Sequence, residues 1–94
     1  GINVFSVEVE RALMRHPAVA QAAVIGVPHP TWGEAIHAVV VRQKGSSVEE
    51  KELIDFVGGI LASYKKPRSV EFVDELPLSG TGKVLKRVLR ERRR

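Results

Sequence analysis

The residues best suited to chemistry lie together near the end of the chain, in Leu76-Pro77-Leu78-Ser79-Gly80-Thr81-Gly82-Lys83-Val84-Leu85-Lys86. Lys83 carries a compact cation on a flexible stem. The glycines before it, Gly80 and Gly82, open backbone conformations closed to other residues and let a ligand come close. The residues after Lys83 read as the start of a helix, whose amino end would offer unpaired N–H groups and partial positive charge. Phosphate and carboxylate oxygens are the groups such a turn is suited to meet. The spacing excludes a P-loop, which needs glycine five residues before the Gly-Lys pair and Ser or Thr after the lysine. Those positions hold Pro77 and Val84. What remains is an anion-handling lysine on a mobile tip or, taken alone, a capped turn with a solvated lysine.

The elements that must hold this tip alternate between helix and strand. Ser6 is placed to cap a first helix with Glu8 in its first turn, and Val9, Ala12 and Leu13 form its apolar face until Pro17 ends it. Residues 21–27 read as a buried strand closed by Pro28 and Pro30, and residues 35–42 as a second strand stopped by the Lys44-Gly45-Ser46-Ser47 turn. Ser47 and Glu50 have capping-box spacing and open a helix whose inner face is Leu53, Ile54, Val57 and Leu61. Gly58-Gly59 weakens that helix or marks a close approach. Residues 70–73 form a short third strand, and a last helix turns Val84, Leu85, Val88 and Leu89 inward. The expected fold class is α+β, a small domain with a three-stranded sheet and packed helices.

Ninety-four residues make one domain with a modest core, and an apolar content of 44% argues against disorder. The chain has no cysteine, which removes disulfides and thiolate metal sites and fits a reducing, cytoplasmic setting. His16, His29 and His37 are scattered without a matching carboxylate pattern, so no metal site is expected. Glu8, Glu10, Glu49, Glu50 and Glu52 read as solvated helix faces. No apolar run nears the roughly 20 residues that span a membrane. The net charge of +4 conceals a division, since residues 83–94 carry +6 and residues 1–82 carry −2. A basic helix end suits the helix dipole, and no stacking surface or groove-reading motif accompanies it, so nucleic-acid binding is not expected.

In order along the chain, Gly1-Ile2-Asn3-Val4, Glu8-Val9-Glu10, His16-Pro17-Ala18-Val19, Gly26-Val27-Pro28-His29-Pro30 with Trp32-Gly33-Glu34, Tyr64-Lys65-Lys66-Pro67-Arg68, Val70-Glu71-Phe72-Val73 and the Lys83 segment resemble the C-terminal lid domain of the adenylate-forming enzymes. The likeness covers nearly all of the chain and is greatest to the AMP-forming acyl-CoA synthetase branch. Ile2, Ser6 and His29 depart from residues common in that pattern, which blurs the subfamily and leaves the lysine motif intact.

The resemblance implies a two-step reaction on a large N-terminal adenylation domain of the same chain, with residues 1–94 as a fragment inactive alone. A carboxylic acid attacks the α-phosphate of ATP, supplied with Mg2+. The thiol of coenzyme A then displaces AMP. Lys83 matches the adenylation lysine, with Gly80, Thr81 and Gly82 positioning it. Gly1 matches a glycine bordering the pantetheine tunnel. Trp32 and Tyr64 match aromatic positions flanking the adenine of coenzyme A, and Lys65, Lys66 and Arg68 match basic groups near its phosphates. Trp32 also reads as a core cap and Tyr64 as a turn anchor. A peptide-synthetase-type lid that loads a carrier-protein thiol, or a non-catalytic anion-binding module, are the alternatives.

Overall fold

The computed structural model describes residues 3–31 and 33–92. Helix α1 covers Asn3–Met14, so Ser6 lies inside it rather than at its cap. Ser6 shares the stripe of Val9 and Leu13 at i, i+3, i+7 spacing and is buried with them. Packing of that stripe outweighs the local capping signal.

Strand β1 runs Val19–His29 and β2 runs Gly33–Arg42, antiparallel to it, with Val24 opposite Ala38. β1 therefore continues through Pro28, which pairs with Glu34. The sheet order β1-β2-β3 explains this. β1 is an edge strand, and a proline is tolerated there when its missing N–H would have faced outward.

Helix α2, Glu50–Ile60, carries the chain across to β3, Ser69–Phe72, which lies parallel to β2 and so needs such a crossover. The capping box does not form: the N-cap is Glu49, without a side-chain cap. The Glu50 carboxylate instead accepts the Val70 N–H at 2.7 Å, tying the start of α2 to β3. Gly58 is a close approach, since a Cβ there would lie 3.3 Å from the Lys66 stem, whereas Gly59 faces open space. Helix α3, Lys86–Arg92, begins after Val84 and Leu85. Leu89 is buried, and Val84, Leu85 and Val88 are half-buried.

The sheet is apolar on both faces. On one, Val24, Ala38 and Val40 meet Val9 and Leu13 of α1 and Leu53 and Val57 of α2. On the other, Ala23, Ile25 and Val39 meet Leu76 and Leu89 of the C-terminal segment that carries Lys83. This is the α+β domain that the residue pattern implies.

Two histidines are structural joints. His16 Nδ1 accepts the Ala18 N–H at 3.0 Å, which leaves the proton on Nε2 to be donated to Glu52 of α2 at 3.1 Å. The His16 ring also meets Phe56 edge-on, 4.8 Å between centroids. His37, only 1% exposed, joins Ser69 at 2.6 Å and Glu71 at 3.1 Å across the β2–β3 boundary.

Candidate functional site

Lys83 stands on a small hairpin. Leu78 and Val84 form an antiparallel bridge, and the Leu85 N–H donates to the Pro77 carbonyl at 2.8 Å. At the tip, the Gly82 N–H donates to the Ser79 carbonyl at 2.9 Å and the Ser79 N–H to the Lys83 carbonyl at 2.8 Å. That pair of bonds, with Gly82 in the left-handed region at φ 85°, is a three-residue hairpin loop closed by a glycine bulge. Lys83 therefore leaves from the hairpin, three residues before α3, and not from the amino end of that helix.

Ser79 organises the loop. Its Oγ accepts the N–H groups of Thr81 at 3.3 Å and of Lys83 at 3.2 Å, and lies 2.9 Å from the Thr81 hydroxyl. Sequence reasoning gave positioning to Gly80, Thr81 and Gly82 and overlooked Ser79. The signal was available in a serine two residues before Thr81 in a glycine-rich turn, the place where a hydroxyl folds back on its own backbone.

The two glycines do different work. Gly82 needs a positive φ, whereas Gly80 does not, and a Cβ at either would meet nothing within 4 Å. The cost of Gly82→Ala is thus conformational, about 1–2 kcal/mol. Gly82→Ala is expected to shift the backbone resonances of residues 79–83, while Gly80→Ala leaves them near their original positions. Equal shifts from both would show that the loop is not held by this glycine.

The Lys83 side chain is exposed, and among the described residues no carboxylate lies within ion-pair distance of it. Beside the hairpin, Leu78, Gly82 and Val84 share a groove of about 540 Å³ with Val7, Arg11, Met14, Gln21 and Ala22. Gln21 and Ala22 pair with Val41 and Val40, toward the end of β2.

The second group of expected residues lies toward the other end of the sheet. Tyr64 sits on a single 3-10 turn, Ser63–Lys65, and is 73% exposed. The Arg68 N–H donates to Ile36 near the start of β2 at 2.8 Å, and the Arg68 side chain is exposed. Lys66 is half-buried with its stem over Gly58. Lys65 is engaged within the domain: its ammonium lies 3.1 and 3.2 Å from the two Glu8 oxygens and 5.7 Å from the Tyr64 ring centroid. Gly1 and Trp32 lie outside the described residues.

The carboxylates expected to be solvated are largely committed. Glu8 holds Lys65, Glu10 holds Lys86 at 2.8 Å and Val24 N–H at 2.8 Å, and Glu50 and Glu52 tie α2 to β3 and to His16. Each pairing joins residues far apart in sequence, beyond the reach of helix-face periodicity.

Ser69, His37 and Glu71 stand in nucleophile, base and acid order, but none of them lines the groove beside the hairpin. His37 is buried, Ser69 and Glu71 are partly exposed, and their contacts join β2 to β3. Among the described residues no three His, Cys, Asp or Glu side chains are grouped to hold a metal, and no helix is long and apolar enough to cross a membrane.

The profile described as AMP-binding enzyme C-terminal domain matches residues 8–83. A feruloyl-CoA synthase from Amycolatopsis sp is 49% identical over 92 residues, 98% of this chain and 19% of that protein. The fatty acid–[acyl-carrier-protein] ligase ScoC of Streptomyces coeruleorubidus is 44% identical over 92 residues, 98% of this chain and 18% of that protein. Among solved structures, ATP-bound MatB from Rhodopseudomonas palustris superposes with a TM-score of 0.89 at 45% identity, over 93% of this chain and 17% of that one. The chain thus spans less than a fifth of the length of each of these three relatives.

Proposed function

The chain belongs to the AMP-binding enzyme C-terminal domain family, and from that premise we propose that it is the mobile lid of an AMP-forming acyl-CoA synthetase, with Lys83 as its adenylation lysine. The observation that carries this is the Lys83 hairpin: a cation on a braced, exposed tip, with no carboxylate beside it among the described residues. A lysine meant to brace the fold would be paired, as Lys65 and Lys86 are.

The chemistry follows from where charge moves. A carboxylate oxygen attacks the α-phosphorus of magnesium-bound ATP, the bond to the bridging oxygen breaks, and pyrophosphate leaves. Lys83 spans the acid, the α-phosphate and the departing oxygen, neutralising charge as it develops. The coenzyme A thiolate then attacks the acyl carbonyl and AMP departs. Tyr64, Lys66 and Arg68, toward the other end of the sheet, are the residues assigned to the adenine and phosphates of coenzyme A in this step. An aromatic face suits a base, and Lys or Arg suits phosphate. Lys65 contributes less in this state, because Glu8 already neutralises it. Gly1 and Trp32 complete the assignment, and a cytoplasmic setting goes with it.

The likeness to an acyl-carrier-protein ligase sustains a second reading, in which the acceptor is a carrier-protein thiol. One assay separates the two. The whole polypeptide is given a panel of carboxylic acids with ATP and magnesium, then either coenzyme A or a phosphopantetheinylated carrier protein. Thioester formed on coenzyme A is the expected outcome, and residues 1–94 alone should form none. Acid-dependent pyrophosphate release with transfer only to the carrier establishes the second reading. Turnover by residues 1–94 alone refutes the lid assignment.

A further inference from the structure

β1 is an edge strand, and its Val24 N–H points away from β2. Glu10 of α1 covers that edge, its Oε2 accepting the Val24 N–H at 2.8 Å. The same oxygen lies 2.8 Å from the Lys86 ammonium. Lys86 is the first residue of α3 and stands three residues after Lys83. One carboxylate oxygen therefore joins the helix on one face of the sheet, the free strand edge, and the segment on the other face that bears the hairpin. The side chains are 23% and 31% exposed, so water screens the pair only in part. Among the described residues it is the only ion pair linking the segment after Val73 to the rest of the domain.

We propose that Glu10 and Lys86 are positioning residues for adenylation: their ion pair fixes the base of the Lys83 hairpin against α1 and β1, and so sets where the Lys83 ammonium is presented. Leu76 and Leu89 bury the segment on either side of the hairpin, but apolar packing tolerates small rotations. An ion pair at the hairpin base supplies the directional restraint that packing lacks. Misplacement of a transition-state group by about 1 Å is costly in rate. The restraint bears on the half-reaction that uses Lys83 and not on the thiol step. This rests on the reading of Lys83 as the adenylation lysine.

The whole polypeptide provides the test, with acid-dependent pyrophosphate release measured separately from thioester formation on a supplied acyl-adenylate. Glu10→Gln keeps an oxygen for the Val24 N–H and loses the charge, so a role confined to the strand edge would leave both steps unmoved. Lys86→Met keeps the stem and loses the charge. Each is expected to slow pyrophosphate release about tenfold and to change the thiol step less than about twofold. Lys86→Arg should restore most of the loss, and Glu10→Gln combined with Lys86→Met should be no slower than either alone, because both remove one interaction. Unchanged pyrophosphate release, or equal loss in both steps, overturns the tether. Lys83→Ala runs beside them: if it spares adenylation, the reading of Lys83 fails and takes the tether's role with it. If it abolishes adenylation while Glu10→Gln is silent, only the tether fails.

Discussion

Lys83→Ala in the whole polypeptide is expected to slow acid-dependent pyrophosphate release about a hundredfold or more, while thioester formation from a supplied acyl-adenylate persists. The substitution removes a charge from an exposed tip whose fold is held by Ser79, Gly82 and backbone bonds. The hairpin should therefore keep its shape, and the loss should fall on the chemistry alone. Lys83→Arg is expected to recover little. A planar guanidinium cannot take the place of a compact ammonium among three groups of oxygens, although it preserves the charge. The split between half-reactions is the decisive readout. Equal loss in both would point to a damaged lid, and no loss in either would leave the hairpin without a catalytic lysine.

Leu53→Ala is expected to destabilise residues 1–94 by about 2–5 kcal/mol. Leu53 has no exposed surface and lies in the cluster that joins α1, α2 and the sheet. A domain of this size holds about 5–14 kcal/mol in all, so the substitution removes a large share. A fall in melting temperature of at least about 10 °C is expected in a thermal scan. Lys51→Ala is the control, because Lys51 is 89% exposed and its i,i+4 pair with Asp55, 3.4 Å apart, contributes about 0.5 kcal/mol or less. A small effect from Leu53→Ala would mean that α2 is not part of the cooperative core.

Much of this was legible in the residues. Leu53 and Val57 carry a 3.6-residue period, and the apolar run on either side of His37 marks a strand, one that the sheet buries on both faces. The Lys83 segment announced a glycine-flanked turn bearing a lysine, and the hairpin with Gly82 in the left-handed region is that turn. What escaped was whatever depended on a distant partner. Ser47-x-x-Glu50 has the spacing of a capping box, yet Glu50 is claimed by Val70, twenty positions away. Ser6 offers a cap, yet sits on the stripe that α1 buries. Pro28 looked like a strand terminator because nothing local told that β1 lies at an edge. The pairing of Lys65 with Glu8 was not foreseen because Glu8 is far from it in sequence. Local patterns report which face an element buries, and tertiary contacts then decide where polar side chains are used.

The outer side of β1 has one more consequence, for self-association. Every second residue from Val24 shares its outward direction, so the proline at position 28 puts a gap in the row of donors two residues beyond Gly26. The donor of Val24 is already taken by a side chain of the same molecule. A strand arriving from another copy would find no continuous ladder to extend, and backbone pairing between molecules would have to begin by displacing Glu10. A carboxylate and a proline thus serve as gatekeepers against intermolecular sheet growth on this edge.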